Sequence, residues 1–372
     1  FHRPEDHAKK YLDSKFARKN PLIAEANKRA IDAGYNFAAN THQFANTYAV
    51  PAAPLEKGTY RSINGNVATA WGLCAAAEKA GLPLFCGSYP ITPATVILEE
   101  LAKRKDLGVK TVQAEDEIAG ICTAIGAAFA GNFAVTTTSG PGLSLKSEAL
   151  GLAVMTELPL VVVDVQRGGP STGLPTKTEQ SDLQQALYGR NGECPVIVVA
   201  ASSPSDCFHY AFEAGRLAME HMTPVILLTD GFIANGSEPW RIPAMKDYPA
   251  ITPPIVDEAP EGGFMPYVRN ENLARGWAFP GKTGLEHRVG GLEKDCVKGC
   301  ISHDPSNHQK MVRTRAEKVA KAVDDIPAQA VWGAPEGDLL VVGWGGTRGH
   351  LQNAVDQMRA EGKRVSLCHF NY

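Results

Sequence analysis

At 372 residues, with 44% hydrophobic and 21% charged side chains, the chain is long enough for two or three ordinary globular cores. A net charge of −3 gives no support for a nucleic-acid or polyanion partner, which needs a clustered basic surface. No stretch approaches the roughly 20 apolar residues of a membrane span and no secretory leader is visible, so the expected setting is cytoplasmic, away from membranes.

Taken in chain order, residues 1 to 37 are expected to be helical. Leu22, Ile23, Ala26, Ala30, Ile31 and Ala33 fall at helical spacing, and Gly34 reads as the stop. The stretch from Ala38 to Leu55, polar and containing Ala and Pro, reads as a linker. From Gly58 to Pro243 helices and strands alternate: helix 66–80, strand 83–86, strand 109–112, helix 118–130, strand 134–138, helix 145–156, strand 160–165, strand 196–200, helix 205–222 and strand 225–228. That alternation predicts βαβ units and a parallel sheet, an α/β fold. Residues 244–330 are rich in Pro, Gly and acidic side chains before a helix at 307–322, and read as a functional arm or interface strap. A strand at 338–342, the turn Gly343 to Gly349, a helix to Glu361 and a strand at 364–370 make one further βαβ unit. Alone it cannot cover both faces of its sheet, so it is expected to start a second α/β domain continuing past Tyr372.

The polar chemistry sits in four short loops, each just after an apolar run: Ser88-Tyr89-Pro90-Ile91-Thr92-Pro93, Ala114-Glu115-Asp116-Glu117, Thr138-Ser139-Gly140-Pro141-Gly142, and Gln166-Arg167-Gly168-Gly169-Pro170-Ser171-Thr172-Gly173. In an open parallel sheet the carboxyl ends of the strands share one edge, where ligands bind, so these loops are expected to meet. Together they offer a hydroxyl (Thr92), a helix-start carboxylate (Glu117), a turn with free amides (Ser139 to Gly142) and a guanidinium (Arg167). Thr92 lies between Pro90 and Pro93, which fix the backbone around its hydroxyl. Arg167 is followed by Gly168 and Gly169, which allow close approach, and its fork suits a carboxylate. Ordinary readings compete: a helix-start acid favoured by the dipole, a solvated arginine, a rigid turn. No Gly-x-Ser-x-Gly elbow, Walker loop or His-Glu-x-x-His is present, which leaves the binding of an anionic carbonyl substrate beside a cofactor.

The eight cysteines are scattered, mostly in apolar surroundings where reduced thiols are common. Cys296-x-x-x-Cys300, followed by His303 and His308, lacks the tighter pair and helical spacer of a zinc site, so no metal is expected there. Gly343-x-Gly345-x-x-x-Gly349 departs from the dinucleotide-binding spacing, and the following strand lacks the ribose-binding acid.

These loops resemble those of the 2-oxoacid:ferredoxin oxidoreductases, most closely the α subunit of the 2-oxoglutarate enzymes in the form with a fused N-terminal γ domain. The words are Tyr89-Pro90-Ile91-Thr92-Pro93, Glu115-Asp116-Glu117-Ile118-Ala119, Thr138-Ser139-Gly140-Pro141-Gly142, the run from Gln166 to Thr176, and Thr283-Gly284-Leu285-Glu286-His287. The resemblance implies a helical γ-type end at 1–40, a linker at 41–57, a pyrimidine-type thiamine diphosphate domain at 58–245, an extended arm and helix at 246–330, and the start of a transketolase C-terminal-like domain at 331–372. It implies that Glu117 bonds N1′ of the cofactor's aminopyrimidine, that Tyr89, Pro90, Ser139 and Gly140 line the cofactor, and that Thr92 and Arg167 take the substrate carboxylate. Lys177 is a candidate for a second carboxylate. The implied reaction joins 2-oxoglutarate, coenzyme A and oxidised ferredoxin to give succinyl-CoA, CO2 and reduced ferredoxin, or runs in reverse. Pyruvate or a broad 2-oxoacid range, and a non-catalytic scaffold subunit, are the alternatives. The sequence has no Gly-Asp-Gly diphosphate and Mg2+ motif and no cluster-ligating cysteine set. Both are therefore expected in a β subunit carrying the [4Fe-4S] cluster, within a pair of αβ units that reduces ferredoxin.

Overall fold

A computed structural model describes residues 4–43, 46 and 48–372. The helix expected at residues 1–3 and the linker positions Phe44, Ala45 and Thr47 lie outside the described residues. The chain divides into two compact units, Phe1–Gly58 and Thr59–Tyr372.

In the first unit, α1 (Asp6–Leu12) runs on through a π-helical turn to Ala17, and α2 (Pro21–Thr41) follows. Asn20 caps α2 by accepting from the Leu22 amide, with Pro21 in the first turn. Gly34 does not stop this helix, which ends where His42 turns left-handed at φ +51°. An interior glycine costs about 1 kcal/mol, too little by itself to end a helix of 21 residues. Lys28 pairs with Asp13 at 2.9 Å, and Lys9 with Asp32, which ties α1 and its continuation to α2.

The second unit begins with β1 (Tyr60–Asn64), α3 (Gly65–Ala80), β2 (Leu84–Ser88), α4 (Thr95–Ala102), β3 (Lys110–Gln113), α5 (Glu117–Phe129), β4 (Phe133–Thr138), α6 (Gly140–Leu145) and α7 (Ser147–Thr156). It continues with β5 (Leu160–Gln166), α8 (Leu183–Tyr188), β6 (Ile197–Ala200), α9 (Asp206–His221), β7 (Pro224–Asp230), α10 (Gly231–Asn235) and β8 (Ser237–Arg241). Six strands form one parallel sheet in the order β3-β2-β4-β5-β7-β6. β5, Leu-Val-Val-Val-Asp-Val-Gln, is buried along its whole length and shows why. Val161, Val163 and Val165 enter the core under α3, α4 and α9, while Leu160 and Val162 enter the core under α5, α7 and α8. A strand covered on both faces reads as a continuous apolar run. The antiparallel pair β1 with β8 was not expected; its mostly exposed residues, without regular alternation, look like loop in sequence.

The arm adds β9 (Ile255–Val256), β10 (Trp277–Ala278) and α11 (Pro305–Lys321). Then come β11 (Val331–Trp332), β12 (Leu339–Trp344), α12 (Arg348–Ala360) and β13 (Val365–Phe370), forming a three-stranded sheet in the order β11-β13-β12. β12 and β13 are the parallel pair expected from sequence, and β11 joins them antiparallel.

The arm has little regular structure, and buried charges anchor it. Glu157, between α7 and β5, is fully buried. Its carboxylate accepts from both terminal nitrogens of Arg269 at 2.6 Å and from Lys318 Nζ of α11 at 2.5 Å. Lys318 also donates to the Met222 carbonyl at 2.9 Å, Arg275 to the carbonyls of Thr156 and Glu157 at 3.1 Å, and Lys294 to that of Met155 at 2.8 Å. Despite burial, the flanking cations hold the Glu157 carboxyl well below the usual carboxylate range. The folded value lies below the unfolded one, so this group's contribution is complete above the unfolded pKa of about 4.3 and is lost as pH falls towards the folded value. Glu157→Gln should lower unfolding free energy by about 3–5 kcal/mol, the cost of removing one member of a buried ion pair. It should also flatten the acid limb of stability below about pH 5, both read by denaturant titration across pH.

Candidate active site

β2 connects to β3 on one side, β4 to β5 on the other, and β2 and β4 are neighbours. Their carboxyl ends therefore diverge at a switch point, where an open α/β sheet leaves a crevice. The Ser88 hydroxyl pins this point by donating to the Thr137 carbonyl at 2.7 Å and accepting from the Thr137 amide at 3.2 Å. The Ala114 amide donates to the Ser88 carbonyl at 2.9 Å, drawing in the loop after β3. A cavity of about 1000 Å³ opens here, with Tyr89, Pro90, Thr92, Glu117, Gly140 and Arg167 in its wall.

Glu117 is the first residue of α5, behind Asp116, whose side chain caps the helix by accepting from the Ala119 amide at 2.7 Å. Its side chain is buried against Gly142: a Cβ at that position would lie 2.8 Å from Glu117 Cγ, 3.1 Å from Oε1 and 2.0 Å from Thr138 Oγ1. Beneath it, the fully buried Lys146 donates to the Glu117 carbonyl at 2.7 Å. Burial pulls the Lys146 ammonium down to about 8, opposed in part by the Glu117 charge. Ser139 is also fully buried, and its hydroxyl has no partner, although its carbonyl accepts from the amides of Gly142 and Leu143.

Arg167 is buried rather than solvated. Its guanidinium donates to the Thr92 carbonyl at 2.6 Å and to the Thr172 carbonyl at 3.2 Å, joining the loops after β2 and β5, while Nε has no partner. Thr92 itself is exposed in the cavity wall. Lys177 is not brought to the cavity: its side chain is exposed, and its carbonyl accepts from the Gly168 amide at 2.9 Å. Cys296 is half-buried and Cys300 exposed. Among the described residues no group of three or more His, Cys, Asp or Glu side chains converges to hold a metal ion.

Three buried groups at this edge escaped the sequence reading: Lys146, Asp164 of β5, and Asp182 just before α8. For Asp164 the signal was present, since a carboxylate inside the run Leu160 to Val165 is the least expected residue in a buried strand. Lys146 and Asp182 sit in ordinary polar surroundings in the sequence and gave none.

A sheet wound on both faces, with a polar cavity at its switch point, belongs to the doubly wound α/β class of ligand-binding domains. This chain belongs to the pyruvate flavodoxin/ferredoxin oxidoreductase family, whose thiamine diphosphate-binding domain matches residues 76–301. It is 54% identical over 372 residues to the 2-oxoglutarate oxidoreductase subunit KorA of Mycobacterium tuberculosis, covering 100% of this chain and 56% of that one. Over 318 residues it is 37% identical to the 2-oxoglutarate synthase subunit KorA of Methanothermobacter marburgensis, covering 83% and 80% of the two chains. A solved 2-oxoglutarate:ferredoxin oxidoreductase from Magnetococcus marinus, with 2-oxoglutarate, coenzyme A and succinyl-CoA bound, superimposes with a TM-score of 0.88 at 37% identity. That match covers 100% of this chain and 64% of the other. The chain thus spans little more than half the length of the mycobacterial relative. Among the described residues no helix is long and apolar enough to cross a membrane.

The contact between Gly142 and Glu117 leaves no room for a methyl group. Gly142→Ala should displace the Glu117 side chain and cost about 1–3 kcal/mol, as overpacking does. A crystal structure and a thermal melt of the variant check both parts.

Proposed function

We propose that this chain is the α subunit of a thiamine diphosphate-dependent 2-oxoacid:ferredoxin oxidoreductase. Its reaction converts 2-oxoglutarate, coenzyme A and oxidised ferredoxin to succinyl-CoA, CO2 and reduced ferredoxin, or proceeds in reverse. The observation that carries this reading is the convergence of Glu117, the Gly140–Gly142 turn, Thr92 and Arg167 on one cavity at the switch point. The names of the relatives favour 2-oxoglutarate as the 2-oxoacid.

The residues present suit the cofactor. The close packing of Glu117 on Gly142 leaves a shape-defined wall with a carboxylate held in place, and next to Gly140 the buried Ser139 hydroxyl is unpartnered, though Ser139 does not itself line the cavity. Glu117, Tyr89, Pro90, Ser139 and Gly140 would hold the aminopyrimidine half. Bound there, thiamine diphosphate supplies the electron sink that lets the 2-oxoacid lose CO2. Glu117 would hydrogen-bond N1′. Thr92 and Arg167 orient the substrate carboxylate, Arg167 with the donors its two carbonyl bonds leave free. The diphosphate end, its Mg2+ and the [4Fe-4S] cluster are assigned to a β subunit, with two αβ pairs forming the enzyme that reduces ferredoxin.

In the assembled complex, Glu117→Gln should lower turnover by about 100-fold or more while leaving assembly intact, the size of a lost acid/base contribution. Near-normal turnover of the variant would refute the role. Arg167→Lys should raise the KM for 2-oxoglutarate by about tenfold, because a point charge replaces a planar fork, with thiamine diphosphate affinity little changed. A panel of 2-oxoacids assayed with ferredoxin and viologen acceptors tests the substrate directly.

A further inference from the structure

The roles above leave two buried acids at this edge unused, of which one, Asp182, lines the cavity. Asp164 sits in β5 level with Thr138 of β4 and Leu228 of β7. It lies on the face that carries Leu160 and Val162, is fully buried, and has no hydrogen-bond donor on either carboxyl oxygen. Asp182, which lines the cavity, is only 7% exposed, and its Oδ2 also lacks a donor. Its carboxyl lies over Gly140, where a Cβ would be 2.6 Å from Oδ1 and 2.7 Å from Oδ2. The Asp182 amide donates to Gln166 Oε1 at 3.1 Å, which fixes the start of α8 against the end of β5. Each of the two carboxyl groups acts on the titration of the other.

Nothing cationic offsets them. The groups facing the pair are the Ser181 hydroxyl, 3.4 Å from Asp182 Oδ1, and the carboxylate of Glu179 in the same loop; Lys146 is bonded instead to the Glu117 carbonyl. Burial, with the neighbouring carboxylate, pushes Asp164 well above the usual carboxylate range, and burial raises Asp182 as well. Two interacting acids of this kind titrate as a pair. The more deeply buried Asp164 holds a proton the more strongly, and Asp182, at the cavity, is the second member, its basicity also raised.

The proposed reaction has a use for such a base. A 2-oxoacid anion, a thiol and two oxidised ferredoxins give a thioester, CO2, two reduced ferredoxins and one proton. The carbon–carbon bond to the carboxylate breaks, a carbon–sulfur bond forms, and the two electrons pass singly to the ferredoxins. The proton left over is the one the thiol carried. We propose that Asp182, held by the proton that Asp164 retains, accepts the thiol proton of coenzyme A as the sulfur bonds to the acyl carbon. The S–H bond breaks, an O–H bond forms on Asp182, and that proton leaves to solvent through the cavity mouth. In the reverse direction the same group returns it. This assignment rests on the oxidoreductase reading.

The test uses the assembled enzyme. Asp182→Asn keeps the shape of the side chain but cannot take a proton. It should lower coenzyme A-dependent turnover by about 100-fold, the size of a lost general base. Reduction of the cluster by 2-oxoglutarate alone, measured in a stopped-flow instrument without coenzyme A, should fall far less. The wild-type coenzyme A-dependent rate should drop as pH is lowered through the titration of the pair, and Asp182→Asn should lose that limb. Asp164→Leu, which removes the donor that steadies Asp182, should move the limb to higher pH. Coenzyme A-dependent turnover of Asp182→Asn within twofold of wild type, or equal loss with and without coenzyme A, overturns the assignment. Infrared difference spectra of enzyme carrying carboxyl-labelled aspartate test the shared proton by itself. A protonated-carboxyl band at neutral pH that disappears in Asp164→Leu and persists, shifted, in Asp182→Asn is expected, and its absence from the wild type overturns the pair whatever the substrate proves to be. A wild-type complex inert towards every 2-oxoacid overturns the oxidoreductase reading and the thiol role together, while the band still decides the pair.

Discussion

The carboxylate of Glu157 organises the arm of the second unit, which has little regular structure of its own. Before α11, residues 244–330 contribute only a 3-10 turn at Met245–Asp247 and two-residue strands. Such a segment cannot satisfy its own backbone or bury a continuous apolar face. Arg269 and Lys318 close instead on one buried anion, while Arg275 and Lys294 take up the carbonyls around it. Around this centre Tyr267 and Trp277 can be fully buried, and the Trp277 indole N–H reaches the last turns of α5 at the Ala128 carbonyl, 3.0 Å away. Charge here replaces the ladder that a strand would have provided.

The two ends of β5 are opposites. At its amino end Glu157 has every donor it needs. Seven residues on, Asp164 has none, and at the same edge the Ser139 hydroxyl, the Nε of Arg167 and one oxygen of Asp182 are also without partners. Native interiors rarely leave buried polar atoms unsatisfied. Others lie elsewhere among the described residues, His221 Nδ1 and Arg315 Nε among them, but five such atoms gather on this one edge of the sheet, beside the cavity.

How much of this could be read from the sequence varied with the kind of signal. The parallel sheet was legible because apolar runs of strand length alternated with helical periods, and β5 announced its double burial through unbroken valines. The four loops were legible because each followed such a run. Gly34 misled, because the propensity cost of a single glycine is small against the whole length of α2. β1 and β8 were missed, because an exposed pair of strands has no apolar pattern of its own. The Glu157 cluster was invisible for another reason: its members are 112 and 161 residues apart in sequence, so no local window holds them. The placement of Arg167 was half legible. Its glycines predicted close approach to a partner, yet the partners it makes within the chain are carbonyls of Thr92 and Thr172.

Those carbonyl bonds change what an incoming anion would meet. A long cation free in solvent loses much of its rotamer freedom when a ligand captures it, and that loss is subtracted from affinity. Arg167 has already given up this freedom on folding, because two loops hold its fork in one orientation before any ligand arrives. The entropy of ordering the arginine is therefore charged to the stability of the protein and not to the binding event, and the loops after β2 and β5 become part of one rigid receptor.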